Sequence, residues 1–535
     1  MFIDARDCPD GTVVRSTVCV IGAGVAGLTI ARELNRANID CCLVESGGFT
    51  PEERLADLYR GESVEPRYHF ADGSRSRYFG GSSNCWAGWS RPFDPIDFVT
   101  RDWVTDSGWP FTGDELTRFA ERATSVLELD TPDYGLAEWG ARLAKDGRPL
   151  LDVQGSDLES TVIQLSPPTR LGVRYREELR RARHVAVYLH ANVTELEMDP
   201  EKDTIRRVHV RTLDGSRLVV EAATYVLACG GIDNARVLLA SQGRSTAGVG
   251  NDHDVVGRYY MDHPRATWGY ALDVDALPAL RAYDARFQGR NRWFPSNRTL
   301  GVANFAVRAA TQEARGMLNS RAWVAATFRG DRTNEGWEEY RRRDTPPAMR
   351  SRRAELQGIV GLARHPISLG ACVATRVLRP ARLLTGFQLH AIVESDPNSQ
   401  SRITLLDERD ALGMQRVRVD WRMGDLVKHT FDETFTMLAA ELAGHGWSVV
   451  PTRGLLGHDW PDDLDWGTWH HIGTTRMHAS PRLGVVDADC RVHGVANLFV
   501  AGSSVFPTSG CNFPTFTLTC LALRLADHLV LHVRS

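Results

Sequence analysis

Gly22, Gly24 and Gly27 stand in the spacing Gly-x-Gly-x-x-Gly, and an acid, Glu45, follows 23 residues after the first of them. Each glycine answers a separate demand. The first permits a tight turn, the second lets a pyrophosphate approach the backbone, and the third lets a helix lie close on a strand. A carboxylate at Glu45 is placed for a ribose 2′-hydroxyl and would repel a 2′-phosphate. The pattern reads as an adenine dinucleotide site that disfavours NADP and leaves FAD and NAD open.

The elements that must hold these residues are legible around them. Residues 16–21, Ser-Thr-Val-Cys-Val-Ile, form a short apolar run of the kind expected of a buried parallel strand. A helix is expected over 28–35, its N-terminus attracting phosphate, and a second strand over 40–44. An NAD dehydrogenase usually completes this fold in sequence, but here the chain turns after Glu45 into Gly47-Gly48 and a long irregular stretch. The sheet must be finished from elsewhere. Candidates are 185–189, 194–198, 205–211, 218–220 and 225–229, the last followed by Gly230-Gly231 and a helix from Asn234. A final strand over 498–501 leads into Gly502-Ser503-Ser504 and a helix over 517–528.

Composition narrows the class. The chain has 535 residues, more than one core usually supports, so two domains are expected. A net charge of -4 offers no basic face for nucleic acid. The 10 cysteines include the adjacent pair Cys41-Cys42 but no CxxC pairs, which argues against a disulfide framework or a metal site. Residues 1–10 do not read as a secretory signal, and no apolar run approaches the roughly 20 residues a bilayer span requires. A cytoplasmic protein without stable membrane insertion is the expectation.

Further segments carry a specific resemblance. They are Gly80-Gly-Ser-Ser-Asn-Cys-Trp86 with Arg91-Pro-Phe-Asp-Pro-Ile-Asp-Phe98, Gly108-Trp-Pro110, and Ala228-Cys-Gly-Gly231 with Asn234-Ala-Arg236. Gly257-Arg258 through His263-Pro264, Ser401-Arg-Ile403 with Asp410-Ala-Leu-Gly413, 470–477 and 497–527 continue them. Together with 18–45 they run through the whole chain in the order of the glucose-methanol-choline (GMC) oxidoreductases, which the chain resembles. Gly473-Thr-Thr-Arg-Met477 and Asn84-Cys-Trp86 are most similar to the bacterial sugar-oxidising branch that includes pyranose oxidase and fructose dehydrogenase.

The resemblance implies an α/β fold, α+β overall. A Rossmann-like FAD-binding domain with a parallel sheet is completed discontinuously from 1–64, 188–262 and 466–535. A substrate domain, an antiparallel sheet with helices, comes from 65–187 and 263–465, and its loop 80–98 covers the flavin. The implied cofactor is FAD, held by Gly22, Gly24, Gly27, Glu45, Gly81, Ser82, Asn84, Cys85, Val193, Ala228, Gly502 and Phe513. Some relatives link the flavin to a histidine where this chain has Cys85, so non-covalent FAD is expected.

Removing hydride from an alcohol carbon also requires a base for the hydroxyl proton, and imidazole suits that task near neutrality. The resemblance maps the catalytic histidine onto His470, with its neighbour His471 expected to point away. The family's second catalytic position, His or Asn, aligns on Phe513, one residue past an amide. A one-residue shift within Ser509-Gly-Cys-Asn-Phe-Pro514 would bring Asn512 into the site, and Asn512 is the expected partner. Its alternative is Phe513 in that place and His470 alone.

The expected substrate is a sugar or aminosugar-like alcohol, an aminoglycoside hydroxyl in antibiotic biosynthesis among the possibilities, with Asp262, Glu394 and Asp396 available to a cationic sugar. The electron acceptor, oxygen or another, is left open. So are three other readings: a non-sugar alcohol such as an aliphatic or sterol alcohol, a non-catalytic FAD-binding homologue, and an NAD-dependent reductase, the last opposed by the discontinuous sheet. An Arg-rich stretch, 341–353, and the apolar 359–362 read as a lid or a surface helical pair.

Overall fold

The computed structural model describes the chain except residues 71–73, 154–155, 168, 244–246, 285–298, 329–382, 452–459, 461–463, 466 and 535. The Arg-rich stretch and the apolar 359–362 therefore lie outside the described residues. In chain order the strands are β1 (Phe2–Asp4), β2 (Thr12–Ile21), β3 (Cys41–Val44), β4 (Gly61–Ser63), β5 (Trp89–Ser90) and β6 (Leu158–Leu165). Next come β7 (Val185–Leu189), β8 (Asn192–Met198), β9 (Ile205–Arg211), β10 (Arg217–Leu227), β11 (Arg265–Ala271) and β12 (Leu300–Val307). The last are β13 (Ser320–Phe328), β14 (Leu384–Val393), β15 (Arg402–Arg409), β16 (Gln415–Asp420), β17 (Val449–Pro451) and β18 (Leu498–Val500). Five helices matter below: α1 (Val25–Arg36), α2 (Leu171–Arg180), α3 (Gly230–Ala240), α4 (Asp425–Gly444) and α5 (Thr515–Arg534).

The first sheet has the order β1-β7-β3-β2-β10-β9-β8, and β18 also pairs with β10. Pairings are parallel from β1 to β10 and between β10 and β18, whereas β9 meets β8 and β10 antiparallel. Val18, Cys19, Val20 and Ile21 are all buried, as are Cys41 to Val44, in strands against which α1 packs. The two short runs expected at 218–220 and 225–229 are one strand. Its first part also pairs with β9, and its last three residues, Tyr225 to Leu227, receive β18.

The second sheet, β17-β11-β14-β13-β12-β6-β5, is antiparallel throughout. α4 lays Val427, Phe431, Leu438 and Leu442 against β13 and β14, a stripe at helical spacing buried on one face. β15, which carries Arg402 and Ile403 of the motif quoted above, is not part of it. β15 pairs instead with β16, and β16 with β4, in a separate three-stranded sheet.

The domain boundaries expected at 64/65 and 187/188 cut across these units. β7 straddles the second. Phe79, Phe93, Phe98, Trp109, Leu127, Tyr175 and Leu179, all assigned by sequence to the substrate domain, pack in the core of the first sheet. α5 is, among the described residues, one helix long and apolar enough to cross a membrane, against the sequence expectation of none. Its Leu521, Leu525 and Leu529 are buried, and the helix packs along α1.

Candidate active site

A cavity of about 720 Å³ lies between the first and second sheets, with walls from both. At one end, β2 turns into α1 through Gly22, whose φ of 104° belongs to the left-handed region that glycine alone adopts freely. A Cβ there would stand 2.6 Å from the Ala228 carbonyl oxygen, and one on Gly27 would stand 1.9 Å from the Gly22 carbonyl oxygen. Gly27 therefore serves the packing of helix on strand and does not itself line the cavity. Gly24 differs: a Cβ there meets nothing within 4 Å, and the residue faces the cavity. α1 starts there without a side-chain cap and without an acid in its first turn, so its positive end is left to the cavity.

Glu45, at the end of β3, is buried and lines the same end. Its carboxylate accepts the Ala23 and Gly47 N–H groups, each at 2.9 Å, which anchors it while burial raises its pKa. Gly81, Ser82, Cys85, Val193, Ala228, Gly502 and Phe513 also line the cavity. The loop bearing Gly81 packs directly on the cradle, since a Cβ on Gly81 would stand 2.7 Å from the Gly24 Cα. Asn84 departs from expectation. Its side chain turns back to donate to the Phe79 carbonyl (3.1 Å) and does not line the cavity. The Cys85 thiol donates to the Ser82 carbonyl (3.3 Å), and burial raises its pKa.

Toward the second sheet lies His470. Its backbone is pinned by Asp262, a fully buried carboxylate that accepts the N–H groups of His263 (2.7 Å), Thr468 (3.1 Å), Trp469 (3.1 Å) and His470 (2.9 Å), and the Tyr68 hydroxyl (2.8 Å). Trp469, just before His470, has a φ of 65°, a conformation this set of bonds holds in place. Burial raises the Asp262 pKa to about 6, opposed by those N–H donors.

The His470 ring lines the cavity, and its Nδ1 lies 2.9 Å from both His263 Nδ1 and Thr468 Oγ1. Burial is the main cause holding its pKa well below the usual histidine range, with the neighbouring His263, His471 and Arg265 adding to it. His470 is thus a neutral imidazole at a cavity wall, able to take a proton. His471 is buried, stacked on Tyr260, and lines the cavity too. It does not turn away from the site as its position next to His470 suggested. Its Nε2 has no partner among the described residues, and burial lowers its pKa to about 3.

Asn512 is not the partner of His470. It is fully buried, and its amide nitrogen donates to the Pro92 carbonyl (2.9 Å) and to Asp94 (3.1 Å), away from the cavity. Asp94 also binds Asn319 and Arg321, so the amide belongs to a polar network behind the wall. Phe513 stands in the cavity instead, edge-on to His470 (5.4 Å) and stacked on Trp89 (5.4 Å). The side chain that meets His470 is His263, which sequence reasoning quoted only as part of a motif. Its partners lie 207 and 246 residues away, so spacing carried no signal of its place.

The three carboxylates expected to meet a cationic sugar are otherwise engaged. Asp262 is bound as above. Glu394 forms a fully buried, two-bond pair with Arg101, and Asp396 accepts the Gly424 N–H. None lines the cavity. The substrate end is walled by Trp89, Trp323, Trp469 and Phe513, with Asn304 and Arg321 among its polar groups.

A dinucleotide cradle of this topology, opening onto a neutral histidine, is the arrangement of an FAD-dependent oxidoreductase. Residues 397–522 match the family described as GMC oxidoreductase, and residues 17–249 match that described as FAD dependent oxidoreductase. The 6'''-hydroxyparomomycin C oxidase of Streptomyces lividus is 25% identical over 96% of this chain and 91% of its own. The fructose dehydrogenase large subunit of Gluconobacter japonicus is 26% identical over 58% of this chain and 48% of its own, so the match spans about half of that relative. The crystal structure of pyridoxine 4-oxidase from Mesorbium loti covers 96% of this chain and 99% of its own, with a TM-score of 0.55 at 17% identity, and shares the fold. The chain thus carries a segment matching the GMC oxidoreductase model behind a segment matching the FAD dependent oxidoreductase model.

The residues present fit the cofactor. Gly24, Gly230 and Gly502 face open space where a Cβ would intrude on a bound dinucleotide. Two helix N-termini, those of α1 and α5, open on the cavity at Val25 and Thr515, where their positive ends favour the negative charge of a pyrophosphate.

Proposed function

We propose that the protein oxidises a hydroxyl-bearing carbon of a sugar or aminosugar-like alcohol, with His470 as the base and FAD held without a covalent bond. The observation that carries the reading is a neutral, tethered His470 on the wall of a cavity continuous with the dinucleotide cradle. When bound, FAD supplies the hydride acceptor. The chain's own residues do the rest: Asp262 fixes the backbone of the 468–470 turn, and His470 takes the hydroxyl proton.

The sugar class is supported by two relatives whose names concern fructose and an aminoglycoside. It is supported as well by a substrate end that combines flat aromatic faces with a few polar groups. Within that class the engaged carboxylates remove a reason to prefer a cationic substrate. The protonated Cys85 thiol supports the non-covalent cofactor, since the thiolate is the nucleophile.

The test is anaerobic bleaching of the holoenzyme's flavin by a panel of fructose, glucose, paromomycin, 2-methyl-1,2-propanediol and choline. Bleaching by a sugar or by paromomycin is expected. Bleaching by the diol or choline alone overturns the substrate class. Yellow colour retained in an acid-precipitated pellet overturns non-covalent binding.

A further inference from the structure

We infer that His263 is a positioning residue that sets the tautomer of His470, keeping the proton of the neutral imidazole on Nδ1 and the lone pair on Nε2, toward the substrate. The inference rests on the proposed role of His470 as base and adds the group that makes its ring a base at the correct nitrogen.

The argument is one of donors and acceptors along a buried chain. His263 is fully buried, and its Nε2 lies 3.1 Å from the Ser509 carbonyl oxygen. A carbonyl oxygen only accepts, so Nε2 carries the hydrogen. Burial holds His263 neutral, its pKa lowered to about 4 against the opposing pull of the Ser509 and Gly510 carbonyls and of Glu394. A neutral imidazole has one N–H, so His263 Nδ1 is bare and can only accept.

That bare nitrogen lies 2.9 Å from His470 Nδ1. Two lone pairs at that distance repel, and the contact becomes a hydrogen bond only when His470 Nδ1 carries hydrogen. Thr468 Oγ1, also 2.9 Å from His470 Nδ1, then shares that hydrogen as an acceptor and turns its own toward Asp262 (3.5 Å). The neutral His470 ring has no second hydrogen, so Nε2 is left with its lone pair. Nε2 makes no hydrogen bond to a described protein group, and the ring lines the cavity. When the substrate O–H bond breaks, the proton forms an N–H bond at Nε2 and its electron pair stays on the oxygen. Nδ1–H still donates to His263, which holds the imidazolium in place.

A direct readout needs no substrate. Holoenzyme containing ¹⁵N-labelled histidine, assigned by the signals lost in His263→Asn and His470→Ala, is expected to show His263 protonated at Nε2 alone and His470 at Nδ1 alone at pH 7. A His470 ring protonated at Nε2 overturns the inference.

The kinetic readout is anaerobic flavin reduction by whichever alcohol of the panel above bleaches the wild type fastest. His263→Leu, which offers no acceptor, is expected to lower the rate constant about 10- to 100-fold with FAD retained. His263→Asn, whose amide oxygen can take the place of Nδ1, is expected to recover most of it. Wild-type rates in His263→Leu beside a slow His470→Ala overturn the role of His263 and leave His470 as base. Wild-type rates in His470→Ala overturn the proposed function itself. Should the Leu variant fail to retain FAD, an Asn variant as slow as His470→Ala counts against the inference.

Discussion

The two ends of the cavity are built from different materials. The cradle is mostly backbone: Gly22, Gly24 and Gly27 lie within six residues, and Glu45 joins them from the next strand of the same sheet. The proposed catalytic end is side chains drawn from separate segments, Tyr68, Asp262 and His263, Thr468 to His470, and Ser509 to Phe513. A backbone site tolerates no Cβ at its contact points, and a side-chain site tolerates no change of hydrogen-bond partner. The first kind fails through packing, the second through chemistry.

The largest effect separates two glycines of the one motif. Gly27→Ala places a Cβ where the Gly22 carbonyl oxygen stands 1.9 Å away, and no FAD-loaded protein is expected on purification. Gly24→Ala meets nothing within 4 Å, so the fold should survive and only FAD affinity should fall. Thermal melts with and without added FAD check both, and equal behaviour of the two variants would remove the distinction between packing glycine and contact glycine.

At the catalytic end, His470→Ala should retain bound FAD and slow its reduction by substrate by about 10²- to 10⁴-fold, the usual contribution of a general base. Stopped-flow reduction measures this against cofactor content. Loss of flavin in proportion to activity would make His470 part of the cradle.

A smaller contrast comes from pH. An imidazole of ordinary pKa loses about three-quarters of its base form by pH 6. Burial, then His263, His471 and Arg265, hold His470 well below that range, so its base form persists as pH falls. The reduction rate constant should show no fall centred on pH 6.5, and the loss that sets in toward pH 6 belongs to the protonation of Asp262, whose pKa is raised to about 6. A fall centred on pH 6.5 would show the site wetter than its packing.

The smallest effect on rate belongs to Asn512→Ala. Asn512 bonds to Pro92 and Asp94 behind the wall, so the variant should lose about 1–2 kcal/mol of stability while reducing flavin at close to the wild-type rate. Denaturant unfolding and stopped-flow reduction together test this, and a rate loss approaching that of His470→Ala would restore the amide to the site.

Much of the architecture was legible because it rests on local patterns. The strand at 16–21, the helix behind it and the acid at Glu45 share one stretch of chain, and period and glycine spacing reveal them. The final strand and helix were legible from an apolar run followed by Gly502. The three-stranded sheet was not, since β4 and β16 are 356 residues apart at their paired positions Gly61 and Val417 and short strands carry no mark of their partner. The loop 509–514 misled for a related reason. A one-residue shift decides which side chain faces the cavity, and the network of Asp94, Asn319 and Arg321 that claims Asn512 comes from other parts of the chain.

By itself the sequence determined the dinucleotide cradle, because glycine's missing Cβ is a local property that spacing makes visible. It also marked His470 through the motif around it. Only the tertiary structure decided how that histidine is held. The contact between His263 and His470 spans 207 residues, and whether a ring nitrogen donates or accepts depends on the groups that folding brings to its other side.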